Sequence, residues 1–190
     1  VLRLSEDEVL KGSLLITLYE NLRWKTISPQ GFRDEMLAYL PNESNSLLFS
    51  MALSYLGDCQ RIFPSDSRPL EQVLWKIVTT NPVSQHRLQA FRLYRSIADS
   101  EEAVQRLYTL WQERKAPKDC ALSESDYIGL SYILAIHLTE KADKIIATQL
   151  SRIQNPDRKK EYQFISPSVS PRKAERDSVF ASLLIAGNRR

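Results

Sequence analysis

A chain of 190 residues with 43% hydrophobic and 26% charged side chains has a globular composition, which excludes intrinsic disorder, and at this length it buries roughly 70% of its unfolded surface. Its net charge of +3 is mild, two cysteines are too few for a disulfide framework, and no apolar run approaches the ~20 residues that span a bilayer. A soluble folded protein is expected, with Cys59 and Cys120 as buried thiols and no nominated compartment: cytoplasmic, periplasmic and extracellular placements all stay open.

The dominant pattern is apolar residues at helical spacing, with prolines falling between the periodic segments. Ser5 and Glu8 have the spacing of a capping box, followed by Leu15, Leu18, Tyr19 and Leu22 on one side of a first helix. Ser28-Pro29 offers an N-cap with proline at the first helical position, and Phe32, Met36, Leu37 and Leu40 form a stripe ending at Pro41. Leu48, Ala52, Tyr55, Leu56, Cys59 and Phe63 carry a third helix to Pro64. Helices are then expected after Pro69, after Pro82, through Val104–Trp111, and from a Ser123/Asp126 cap through Leu130 and Leu134 to His137. Ala142, Ile145, Ile146 and Ile153 make an eighth, a short segment around Phe164 stops near Pro167, and Val179, Phe180, Leu183 and Leu184 close the series.

No period-two alternation with hairpin dipeptides interrupts this, so the fold class is all-α with about ten helices. Short connectors return the chain alongside itself, and antiparallel pairs stacked in order make an α-solenoid of the HEAT or armadillo kind. A compact bundle fits the same stripes, because no strict repeat stands out. The whole of 1–190 is expected to form a single helical domain. Val1-Leu2-Arg3-Leu4 reads as an excision point, and the chain is expected to be truncated at both ends. The stripe at Val179, Phe180, Leu183 and Leu184 is then uncovered, and self-association is an expected consequence.

Catalytic constellations do not assemble from the spacing. A zinc hydrolase needs two imidazoles one helical turn apart, aimed with a glutamate at one metal. The two histidines, His86 and His137, lie some fifty residues apart, and His137 with Glu140 straddles a helix junction at Thr139. Gly129-Leu130-Ser131 lacks the second glycine of a nucleophile elbow. Five scattered glycines provide no loop to cradle a phosphate. Trp24, Trp75 and Trp111 read as packing residues rather than a groove lining, two of them lying in apolar runs. Residues 151–190 carry nine basic against four acidic side chains, and Arg158-Lys159-Lys160 with Tyr162 and Phe164 has the superficial look of a nucleic-acid patch. A solvated helix start explains it better.

Several segments together resemble one family. They are Leu18-Tyr19-Glu20-Asn21-Leu22, Leu40-Pro41-Asn42-Glu43-Ser44-Asn45, Asn155-Pro156-Asp157-Arg158, Phe164-Ile165-Ser166-Pro167-Ser168-Val169-Ser170 and Arg176-Asp177-Ser178-Val179-Phe180-Ala181-Ser182-Leu183. In order and separation they are similar to the helical C-terminal domain of the gluzincin aminopeptidases of the aminopeptidase N type. The resemblance implies that the zinc-binding His-Glu-x-x-His helix lies in a preceding catalytic domain, so zinc belongs to the parent enzyme and this chain holds neither cofactor nor catalytic residue. It implies a domain that covers the cleft and controls which peptides reach the metal, with the catalytic domain of the same polypeptide and peptide substrates as partners, and neither nucleic acid nor membrane. Some members hold a peptide carboxylate with basic residues just before the Phe-x-x-Pro stretch. Here Glu161, Tyr162 and Gln163 occupy that place, which leaves Arg158, Lys159 and Lys160 as substitutes. A free-standing helical-repeat scaffold for peptides or proteins is the alternative.

Overall fold

The computed structural model of the chain describes residues 5–188. Val1–Leu4, read above as an excision point, and the last two arginines, Arg189 and Arg190, lie outside the described residues. Among the described residues there are ten α-helices and no strand: α1 Glu8–Arg23, α2 Pro29–Tyr39, α3 Ser46–Ile62, α4 Arg68–Thr80, α5 Ser84–Ile97, α6 Glu101–Glu113, α7 Glu124–His137, α8 Ala142–Arg152, α9 Pro156–Ile165 and α10 Lys173–Ser182. Single 3₁₀ turns at Leu40–Asn42, Thr139–Lys141, Ser166–Val169 and Ala186–Asn188 close or join them. Among the described residues no helix is long and apolar enough to cross a membrane.

Side chains at the helix starts account for most of these boundaries. Ser28 Oγ accepts from the Gly31 N–H at 3.0 Å with Pro29 at the first helical position, and Asn45 and Asn155 each accept two N–H groups from the turn that follows. Ser123 and Asp126 form a reciprocal capping box on α7. Such caps satisfy N–H groups that have no intrahelical partner and are each worth about 1 kcal/mol. The first helix differs from expectation. Asp7, not Ser5, is its cap, accepting from Val9 and Leu10, because a carboxylate beside the positive helix end makes the stronger, charge-assisted bonds. Ser5 instead receives the Asp7 N–H, at 3.2 Å.

The chain divides into two compact units, one comprising the chain to Ser100 with Ala116–Ala121, the other Glu101–Lys115 with the chain from Leu122. In the first, α1, α3 and α5 lie side by side in one direction, and α2 and α4 return between them. Tyr19 on α1 stacks on Tyr55 of α3 at 4.2 Å and donates to Asp58 at 3.0 Å. Early α3 meets early α5 where Gln89 Nε2 donates to Ser50 Oγ at 2.7 Å, and their middles meet at Gly57 and Leu93. Leu15, Phe32, Met36, Phe49, Leu56, Leu74 and Phe91 fill the space between the layers. At roughly 1.5–3 kcal/mol for each buried side chain of this size, that apolar contact outweighs the caps. Arg87 ties the 116–121 strip to α5 by donating to Lys118 O at 3.1 Å and Asp119 at 2.9 Å.

The second unit repeats the arrangement. Trp111 of α6 donates through Nε1 to Gln149 of α8 at 2.8 Å, both side chains buried, and the Arg152 guanidinium lies over the same indole at 4.8 Å. Across the other layer, Ser131 of α7 and Tyr162 of α9 are hydrogen-bonded at 2.9 Å, and Tyr132 stacks on Tyr162 at 5.0 Å. Within each unit, then, alternate helices run together and the intervening ones return, the layered pairing of an α-solenoid. On α10 and beyond, Phe180, Leu184 and Ile185 are exposed at 71%, 68% and 61%, so the expected apolar stripe is uncovered; Val179 is half-buried.

Candidate functional site

A groove of about 860 Å³ lies in the first unit, between α3 and α5. Its position follows from the sequence of the two helices. Ser50, Ser54 and Gly57 lie within two turns of α3 on one side, facing Gln89, Leu93 and Ser96 on α5, and the i, i+4, i+7 spacing puts such residues on a single face. Small side chains line this face of α3, and Gly57 lies against the Leu93 side chain of α5. A methyl group built at Gly57 would stand 3.0 Å from Leu93 Cδ1, tighter than ordinary van der Waals contact.

Polar groups converge on this groove. Asp58 accepts from Tyr19 Oη and, at 2.6 Å, from Arg61. Burial, together with the bond to Asp58, pushes the Tyr19 phenol above its ordinary value, so it stays a donor. Gln60 and Ser65 are joined by two hydrogen bonds at the far end. Gln89 spends its amide N–H on Ser50, while its buried Oε1 has no donor. Arg61, Arg92, Asp58 and Asp99 all line the cavity, so its cations and carboxylates balance. The walls include no aromatic ring, imidazole or thiol.

Below the groove, Glu71 of α4 is buried and gathers four donors: Ser67 Oγ at 2.7 Å, the N–H groups of Asp99 at 2.8 Å and Ser100 at 3.1 Å, and Ser100 Oγ. Burial alone would raise its carboxyl, but hydrogen bonds from Ser100, Asp99 and Ser67 outweigh it and hold the group below the ordinary carboxylate value. This carboxylate fixes the end of α5 to the start of α4. Nothing in local periodicity announced it, since Glu71 sits among first-turn acids that capping alone explains.

Comparison of the chain with protein-family models, with characterised proteins and with solved structures gives no match.

The residues nominated from the sequence are on α9, in the second unit, and are not among those lining the groove. Arg158 pairs with Glu124 at 3.5 Å, and the Gln154 N–H and Arg158 together hold Glu124 below its ordinary value. Lys159 and Lys160 are exposed on the same first turn. A small hollow of about 150 Å³ beside Arg158 is lined by Tyr132, Glu161 and Tyr162, and Glu161 gives it a negative wall. The other sequence candidates fall as follows. His86 is buried, and His137 ends α7 with Glu140 in the following 3₁₀ turn. Trp111 is buried, whereas Trp24 is 80% exposed. Both cysteines are buried, and burial pushes the Cys59 thiol up although the Arg33 guanidinium pulls it down. Among the described residues no group of three or more His, Cys, Asp or Glu converges as a metal-binding set.

Proposed function

We propose that this chain is the helical C-terminal domain of a zinc aminopeptidase of the aminopeptidase N type, working in cis with a catalytic domain that holds the zinc, and that it controls which peptides reach that metal. The observation that carries the reading is where the family-like segments fall. Leu18–Leu22 ends α1, Leu40–Asn45 forms the 3₁₀ turn and cap between α2 and α3, Asn155–Arg158 caps α9, and Phe164–Ser170 makes the turn after it. These stretches set how one helix hands over to the next. A likeness concentrated there is a likeness of architecture, joined by Arg176–Leu183 on α10. A large groove with balanced charge, on a layered helical frame, suits a surface along which peptides of varied sequence pass.

In this reading the chain supplies shape and hydrogen bonds, while bond cleavage belongs to the zinc domain. The purified 190-residue chain therefore gives no turnover of aminoacyl-arylamide substrates, with or without added zinc. Robust zinc-dependent turnover by pure protein would overturn the proposal.

A further inference from the structure

We propose that the strip Ala116–Ala121 is a strap that opens as an element of its own, with Arg87 as its latch, and that its closure masks the Cys120 thiol. In the chain the strip stands between α6 and α7, yet it belongs to the first unit. It has neither helix nor strand, and a turn closes it internally, the Cys120 N–H donating to Pro117 O at 3.0 Å. Lys118, Asp119 and Ala121 are exposed, and Ala116 and Pro117 are half-buried. Of the six residues only Cys120 is buried, at 3% exposure.

The latch is a single guanidinium. Arg87, in the first turn of α5, donates through Nη1 to Lys118 O at 3.1 Å and to the Asp119 carboxylate at 2.9 Å, while its Nε donates to Asn81 O at the end of α4. The Arg87 side chain is 12% exposed and that of Asp119 53%, so the ion pair stands half in water and is weaker than a buried one. Asp119 holds φ 58°, in the left-handed region that L-residues occupy at a cost, and opening recovers that cost along with the backbone freedom of the strip. The helices beneath have packing of their own. Trp75 of α4 meets Tyr94 of α5 with ring centroids 5.2 Å apart, and Phe91 and Tyr94 are fully buried. A segment with little buried apolar surface and solvent-facing hydrogen bonds opens at a lower free energy than the core it rests on. Cys59 supplies the contrast. It is fully buried on α3, its Sγ donating to Pro29 O and accepting from Arg33, both on α2, so uncovering it requires α2 and α3 to separate. The two thiols report two different openings of one unit.

The test uses the whole chain in native buffer with iodoacetamide, alkylation of each cysteine being followed by peptide mass spectrometry. Each rate is divided by that of the same cysteine in the urea-unfolded chain, which removes differences in intrinsic thiol reactivity. Cys120 should be alkylated at least about tenfold faster than Cys59 on this corrected scale. Arg87→Ala, which removes the latch, should speed Cys120 by about another tenfold and leave Cys59 unchanged. Asp119→Asn keeps a residue that tolerates the left-handed backbone but removes the ion pair, and should speed Cys120 about threefold; it decides the matter if far-UV circular dichroism shows that Arg87→Ala does not fold. Equal corrected rates for the two cysteines would overturn the proposal, because global unfolding would then expose both. Variants that leave the Cys120 rate unchanged would overturn it by showing a thiol reached without any opening, and variants that speed both cysteines alike would make Arg87 a support of the whole unit. The assay needs no catalytic domain, so its outcome and that of the aminopeptidase reading are separate.

Discussion

His86 lies fully buried on α5, its ring stacked 4.0 Å from Phe49 and its Nε2 3.0 Å from Ser46 Oγ, while Nδ1 has no partner. Burial lowers its pKa, opposed weakly by Glu43. A base with a depressed folded value stays neutral in the folded chain but takes a proton in the unfolded chain below about pH 6.5. Acidification from about pH 7 towards 5 therefore favours unfolding, with a slope of at most about 1.4 kcal/mol per pH unit from this one group. His86→Phe should flatten that part of a calorimetric pH series; an unchanged slope would show that His86 titrates freely. Glu71 acts at lower pH. Its folded value is depressed, so the stability it contributes is present above its ordinary 4.5 and is lost as pH falls through the folded value. Glu71→Gln, which removes the charge from a buried carboxylate with four donors, should cost about 2–3 kcal/mol, read as a lower midpoint in urea at pH 7. A loss under about 0.5 kcal/mol, the size of a neutral surface change, would contradict the role assigned to it.

At the scale of elements, helix ends were largely legible, and for physical reasons. Proline and the small polar cap residues act within three or four positions, so Ser28-Pro29 and Ser123/Asp126 could be read without knowing the fold. Asp7 was missed because Ser5-x-x-Glu8 satisfies the same template by spacing alone. The end of α1 was illegible, since it lacks the usual glycine. Lys25 sits at φ 59°, with its N–H on Leu22 O at 3.0 Å and the Thr26 N–H on Asn21 O at 2.9 Å, the two bonds of a Schellman close. Because a left-handed L-residue costs about 1 kcal/mol or more, Lys25→Gly should raise the melting temperature by about 2–4 °C. A lower midpoint would mean that the Lys25 side chain contributes more than its backbone costs.

For the molecule as a whole, the stripes identified helices and their count, but not which faces would enclose space. The groove depends on Ser50 meeting Gln89, and the α4–α5 junction on Glu71 meeting Asp99 and Ser100, pairings 28 to 39 residues apart. Local periodicity holds no information on such partners; layered packing decides them. Arg158, Lys159 and Lys160, named only as substitutes for the basic residues that some aminopeptidases use to hold a peptide carboxylate, stand near the start of α9, where Arg158 is paired with Glu124. The central claim, that this helical array serves a zinc centre carried by the same polypeptide, is tested most directly by sequencing the coding DNA upstream of Val1. The account predicts a continuous reading frame that encodes a His-Glu-x-x-His helix followed by a Gly-x-Met-Glu-Asn motif. A start codon at this position, or an upstream domain without the zinc motif, would contradict it and favour a free-standing peptide-binding scaffold.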